Sequence, residues 1–306
     1  MLFLSVFIGL LPSFLLVGLG GVVRKRLSEN AWQGLDRLNF EILFPALLFV
    51  AAASRPIEPA KVVIMAPAVW TVLLAGLALG WAARRAGPAR FLDFAGAWQV
   101  SWRFNTALGL VAVSLLSRGG AGEMAVAVGM GVPVANLFAV TALSRGGTLG
   151  LGQTLAKIAL NPFLLASLAG VTFGLMGWAL PRAVMAPIEM LARAAIPIAL
   201  LSIGATMNWG ALARLNRFSG AICAIKLLGL PAVALGLGLA FQLDPAIAAT
   251  LVVFAALPTA SAAHVLASAF GADRQLVATL IAQTTLISAL TLPLWISIAE
   301  AVFNAP

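Results

Sequence analysis

The chain has no tyrosine, one cysteine, one histidine and ten acidic residues among 306. The lone Cys223 excludes an intrachain disulfide and a cysteine-based metal cluster. His264 and the scattered acids offer no spaced ligand set, so neither metal nor cofactor is expected. Charged residues make up 9%, where a soluble globular domain carries about 25%, which excludes an ordinary water-soluble domain. A phosphate-cradling glycine loop is missing as well. Enzyme chemistry fares no better. An intramembrane aspartyl protease needs two facing acids, and no two of the acids lie deep in an apolar run. A serine hydrolase would hang on His264 without an orienting acid nearby, and no enzyme is expected.

What is present is overwhelmingly apolar, with 62% hydrophobic residues and a mean hydropathy of +1.04. Apolar runs of roughly 20 residues recur along the whole length, as a bilayer core of about 30 Å requires of a helix rising about 1.5 Å per residue. The alternating segments of about 10 residues that mark a membrane β-barrel are absent. An all-α membrane protein is expected, with ten transmembrane helices at about 3–23, 35–53, 61–83, 94–116, 121–143, 155–178, 184–207, 217–240, 245–269 and 275–299. The first run lacks a basic leader and a small-residue cleavage site, and Arg24, Lys25 and Arg26 follow it, so it reads as an uncleaved helix.

The formal charge of +9 is a matter of topology rather than of nucleic acid, since the basic residues fall at span ends. On this count the inner side holds Arg24, Lys25, Arg26, Arg37, Arg84, Arg85, Arg90, Arg145, Lys157, Arg214, Arg217 and Arg274, and the outer side holds Arg55, Lys61, Arg118 and Arg182. Twelve against four is the asymmetry expected of cytoplasmic loops, and it puts both termini on the extracytoplasmic side of a cell inner membrane.

Three cations remain inside the spans: Arg103, Arg193 and Lys226. Each costs about 3 kcal/mol or more at a helix centre, so each must face the protein interior, reach an interface or meet a partner. Arg103 lies in SWRFNTALGL of span 4, and either an interior or a snorkelling position is open to it. Glu41 reaches water or pairs with Arg37, while Asn136 and Asn161-Pro162 read as packing and capping residues.

Five spans per half with opposite entry sides suggest two inverted repeats, residues 1–150 and 151–306. Spans 4 and 9 occupy matching places, and both are interrupted by polar residues or proline. One carries Arg103, Asn105, Thr106 and Gly109, the other Pro258, Thr259, Ser261 and His264. Pro45 and Pro197 sit mid-span at matching places in the second span of each half and, with Gly109 and Pro258, are the expected breaks or hinges. Unwound backbone within a membrane is tolerated only where protein or a water-filled cavity surrounds it. Asn105, Thr106, Thr259 or Ser261 can cap the half-helices that follow such breaks. Two half-helix N-termini aimed at one point favour an anion, and Arg103 and His264 would add donors at that depth, so a carboxylate-bearing ligand is expected. Interhelical hydrogen bonding is the other role open to Asn105 and His264.

Read in order, LNFEILFPALLF, RFNTALGL, Asn136, ALNPFLLASLAG, AAIPIALLSIG, Lys226 with Pro231, ALPTASAAHVLASAFG and TLISALTLPLW resemble the auxin efflux carrier family. That family includes bacterial permeases assigned to malate and malonate and the plant PIN-FORMED proteins. The resemblance implies a fold similar to that of bile acid and sodium/proton transporters, with crossing broken helices 4 and 9. Helices 1, 2, 6 and 7 would form a scaffold, and helices 3–5 and 8–10 a transport domain moving as an elevator. It implies that Asn105, and Pro258 with Thr259, contact the substrate, with a small polar face of helix 2 opposite. The sequence departs from the family in lacking a proline soon after Asn105, which leaves Asn105 and Gly109 to make the break, and in lacking the long loop of plant members between spans 5 and 6.

The expected function is secondary transport of a small organic anion, a mono- or dicarboxylate such as malonate, malate or an auxin-like acid. Proton coupling or uniport is favoured over sodium because no intramembrane Asp pair is present. A homodimer through the scaffold helices is the expected assembly. The competing readings are a sodium-coupled bile-acid-like symporter and a membrane anion sensor that moves nothing.

Overall fold

A computed structural model describes residues 2–53, 59–118, 120–144, 160, 162–260 and 262–303; Asn161 and Ser261 lie outside the described residues. Among the described residues every regular element is helical and none is a strand. The helices are α1 Leu2–Val23, α2 Glu29–Leu38, α3 Phe44–Ala53, α4 Pro59–Ala82, α5 Phe91–Trp98, α6 Thr106–Val113 and α7 Ala121–Ser144. There follow α8 Pro162–Met176, α9 Arg182–Thr206, α10 Arg217–Ala224, α11 Leu230–Ala240, α12 Pro245–Ala256, α13 Ala262–Ala269 and α14 Arg274–Phe303. Among the described residues five continuous stretches are long and apolar enough to cross a membrane: Pro59–Ala86, Ala121–Ser144, Arg182–Thr206, Arg217–Ala240 and Arg274–Phe303.

Local chemistry sets the ends. The basic turn Arg24–Arg26 closes α1, and Ser28 starts α2 by accepting the Ala31 N–H at 3.3 Å. Helix 2 thus begins earlier than the apolar run suggests, because Glu29–Leu38 is amphipathic and its polar face hides the helix from a hydropathy reading. Asn216 and Ser219 form a reciprocal capping box that opens α10.

Not every proline breaks its helix. Pro45 follows a π-turn, Asn39–Leu43, that joins α2 to α3, and the widened turn absorbs the missing N–H while the chain stays helical. Pro197 lies inside the unbroken α9. Gly109 sits within α6, past the break, where the Leu257 side chain packs so closely that a Cβ would lie 2.8 Å from it. In these three places the structure has no break where one was expected.

In the packing, α1 lies along α9, and α3 lies along both α8 and α9. The first contact is backbone to backbone: a Cβ on Gly204 would overlap the Val17 carbonyl oxygen, and one on Gly20 the Leu201 carbonyl oxygen. Small residues are what permits this approach in a membrane bundle. Ser202 donates a hydrogen bond to Asp36, and Asn39 Nδ2 donates to the Ala195 carbonyl at 3.1 Å, so the polar residues of helix 2 are engaged by α9. A second set of contacts joins α4 to α7 and α11, and α12 to α7, α11 and α14. The two sets meet where α1 touches α14 and where α7 touches α3 and α8.

Candidate functional site

Two helical runs break within this second set of contacts. The first passes from α5 through a 3-10 turn, Gln99–Ser101, to non-helical backbone at Trp102–Asn105, and resumes as α6. The second ends α12 at Ala256, leaves the helix at Leu257 with φ −61° and ψ 139°, and resumes as α13. Extended backbone at Leu257 is what a following proline enforces.

The two breaks are tied to each other. The Asn105 N–H donates to the Pro258 carbonyl at 2.8 Å, Thr259 Oγ1 donates to the Val100 carbonyl at 2.6 Å, and Gln99 Nε2 donates to the Ala263 carbonyl at 3.1 Å. Beside them the Phe104 and Phe254 rings pack with centroids 4.4 Å apart and planes tilted by 53°, and Gly131 of α7 lies against both rings. Each bond satisfies a backbone group that the break would otherwise leave unpaired away from water.

The expected site residues fall as follows. Asn105 caps α6, its Oδ1 accepting the Leu108 N–H at 3.3 Å. Thr106 is the first residue of α6. Pro258 and Thr259 lie in the second break, and Thr259 is wholly buried with its hydroxyl engaged by Val100. Arg103 turns inward rather than to an interface: it is 7% exposed, and Nη2 donates to Asn136 Oδ1 of α7 at 2.8 Å. Its buried Nε has no hydrogen-bond partner among the described residues. His264 lies in the first turn of α13, partly exposed. Ser261 was expected to belong with these and lies outside the described residues.

The other intramembrane cations differ. Arg193 is exposed and sits 3.6 Å from Glu189. Lys226 is 1% exposed, and its Nζ donates to the Ala255 carbonyl at 3.1 Å. Glu41 pairs with Arg37 at 2.8 Å. Among the described residues the buried charged side chains are Arg103 and Lys226, and no Asp or Glu is buried with them. Two buried cations facing neutral partners make the region electropositive, and that favours an anion.

Asn136 is the partner the sequence conceals, since an Asn in a membrane span fits packing equally well. A second buried polar row, Gln283, Thr284 and Thr285 of α14, runs beside the break, and Thr284 Oγ1 lies 3.5 Å from the Thr259 N–H. Three consecutive polar residues in the middle of span 10 were its signal. A cavity of about 370 Å³ lined by Phe49, Phe173, Trp178 and Glu189 lies elsewhere, between α3, α8 and α9, and holds none of the site residues.

A helical bundle with several membrane-length apolar helices and a polar, twice-broken core has the build of a multi-pass membrane protein. Comparison with known proteins is specific. The family described as "Membrane transport protein" matches residues 148–296. A Rhizobium meliloti (strain 1021) protein named "Putative malonate transporter" is 29% identical over 312 residues, covering 92% of both chains. A Methanothermobacter thermautotrophicus protein named "Uncharacterized transporter" is 26% identical over 318 residues, covering 95% of both. Residues 148–296 thus carry the pattern of this membrane transport protein family, and nearly the whole chain is similar to the two proteins named as transporters, in line with the resemblance to the auxin efflux carriers.

Proposed function

We propose that this transporter is a secondary carrier of a small organic anion and that the anion binds where the two broken helices cross, between Arg103, Asn105 and the first turns of α6 and α13. The observation that carries this reading is Arg103: a buried guanidinium with, among the described residues, one neutral side-chain partner and an unspent Nε–H, and a place two residues before a half-helix N-terminus. A guanidinium fork and the N–H groups at a helix start both match a carboxylate. The relative's name brings malonate to the front of the candidate substrates.

The inverted-repeat, elevator reading goes further and is supported by the packing. Helices 1, 2, 6 and 7 would be α1, α2 with α3, α8 and α9; the remainder would be the transport domain, residues 1–150 and 151–306 forming the two repeats. The contact of α1 with α9 has its counterpart in that of α8 with α3, and α1 with α14 in α8 with α7, as an inverted repeat requires. Arg103, Asn105 and Thr106 are 7%, 6% and 8% exposed, so substrate entry requires movement of the elements around the crossing. The setting is the inner membrane with both termini outside, on the charge asymmetry of the loops, and dimerisation is through the scaffold helices.

The test is counterflow of labelled malonate, malate and indole acetate in proteoliposomes, with wild type and Asn105→Ala compared. Saturable exchange of a carboxylate, reduced in Asn105→Ala, is expected. Failure of all three acids and of a wider acid panel overturns the anion-carrier reading. Binding in detergent without flux makes the protein a sensor. Normal exchange by Asn105→Ala overturns the site while leaving the carrier.

A further inference from the structure

Beyond adding positive charge to the region, Lys226 is given no part in the anion site just described, yet it is among the most buried large side chains of the molecule. It lies on a π-turn, Ile225–Gly229, that joins α10 to α11. π-turns inside α-helices are inserted residues and concentrate at functional positions. This one touches α4, α12, α14 and the 3-10 turn Gln99–Ser101, so Lys226 stands at the crossing. The turn's own loosened backbone is held from α14, where Trp295 Nε1 donates to the Leu227 carbonyl at 2.8 Å.

The ammonium donates to the carbonyl of Ala255, the penultimate residue of α12. The last carbonyls of a helix have no partner in their own helix and carry the negative end of its dipole. At α12 the shortage is acute, since the chain turns extended at Leu257 and Pro258 has no N–H. The corresponding end at Gln99–Ser101 is closed by other means: Thr259 Oγ1 on the Val100 carbonyl, Ser101 Oγ on that of Trp98, and the Trp102 and Arg103 N–H groups on that of Gln99. A bare helix C-terminus inside a membrane is a cluster of oxygen ligands, the kind a hard cation such as sodium takes.

We propose that Lys226 is a resident cation that fills this place permanently, so that transport needs no sodium and the ammonium charge travels with the crossing through the transport cycle. The proposal rests on the carrier reading above for its consequence for flux, but the occupancy of the helix end by Lys226 can be tested without flux.

The experiment uses the full chain in two assays: anion counterflow in proteoliposomes, and thermal unfolding in detergent, each in sodium, methylammonium or choline chloride. For wild type, neither counterflow nor the unfolding midpoint is expected to differ between salts. Lys226→Ala is expected to lose about tenfold in flux in choline, the scale of one partly buried charge at a helix end, and to regain flux and midpoint in sodium or methylammonium. Lys226→Gln keeps a donor for the Ala255 carbonyl without the charge; it is expected to fold, to lose flux, and to gain nothing from either cation. It also serves if Lys226→Ala cannot be purified. Sodium dependence in wild type, wild-type flux by Lys226→Gln, or the same response to all three salts in Lys226→Ala overturns the proposal. If wild type moves no anion at all, the carrier reading falls, and the unfolding midpoints alone decide the place of Lys226.

Discussion

Arg103→Met separates a substrate ligand from a structural residue, because the two roles predict opposite effects on the empty protein. Methionine fills most of the same volume and removes a cation that is 7% exposed and leaves a buried Nε unpaired. Holding such a group costs the empty protein free energy, and replacing a buried charge by an apolar side chain of similar size is often neutral or stabilising. What is lost is the 2.8 Å bond to Asn136 Oδ1, a side chain that is only partly buried and can be solvated in part. The unfolding midpoint of Arg103→Met should therefore equal or exceed that of wild type. Anion affinity should fall instead. One charge-assisted hydrogen bond is worth about 1.5–3 kcal/mol, or about 10- to 150-fold in Kd. The assay is malonate titration in detergent by calorimetry, or by the ligand-induced shift of the unfolding midpoint, with tryptophan fluorescence as the signal. Arg103→Met binding the anion within about twofold of wild type, against the roughly tenfold loss expected at the least, refutes the assignment of Arg103 to the anion. A large drop in the midpoint without ligand would make Arg103 a structural strut instead.

Three other outcomes follow from the same geometry. Asn105→Asp keeps a side-chain cap on α6, since Asp caps as well as Asn, but puts a negative charge at the crossing; it should fold with a near-wild-type midpoint and lose anion binding, whereas Asn105→Ala should lose about 1 kcal/mol of stability as well, both read by thermal unfolding and titration. Thr259→Val leaves the buried Val100 carbonyl without its donor and should destabilise the protein by about 1–3 kcal/mol, while Thr259→Ser should restore most of the loss in the same unfolding assay. Gly204→Ala should drive α1 from α9, since its Cβ overlaps the Val17 carbonyl oxygen, and should be seen as loss of the monodisperse peak in size-exclusion chromatography, with Gly236→Ala, in open surroundings, as the tolerant control.

The sequence carried the parts of this protein whose energetics are local. Apolar runs long enough for a bilayer, with cations gathered at their ends, mean membrane helices because the transfer cost of each residue is counted within its own span. Pro258 and the polar stretch around Asn105 announced interruptions because a missing N–H or a competing side chain acts within one helical turn. Even so, the same local logic misplaced the effect of Pro45, Pro197 and Gly109. A π-turn before Pro45 and an intact α9 around Pro197 absorb the prolines, and Gly109 accommodates a neighbouring leucine side chain.

Everything that makes the crossing a candidate site is a contact between distant residues. Arg103 meets Asn136 across 33 positions, Lys226 meets Ala255 across 29, and Thr259 meets Val100 across 159. Arginine and lysine have long stems that can reach an interface or a neighbouring helix from the same backbone position, so their own spans do not fix where their charges end. Nor does a threonine in a break reveal whether its hydroxyl awaits a ligand or closes a helix end. Composition alone settled that buried cations here are expensive and few. Only the packing of α7, α12 and the π-turn around the two breaks decided which oxygen each of them meets, because a hydrogen bond is short and directional and its partner is set by the fold.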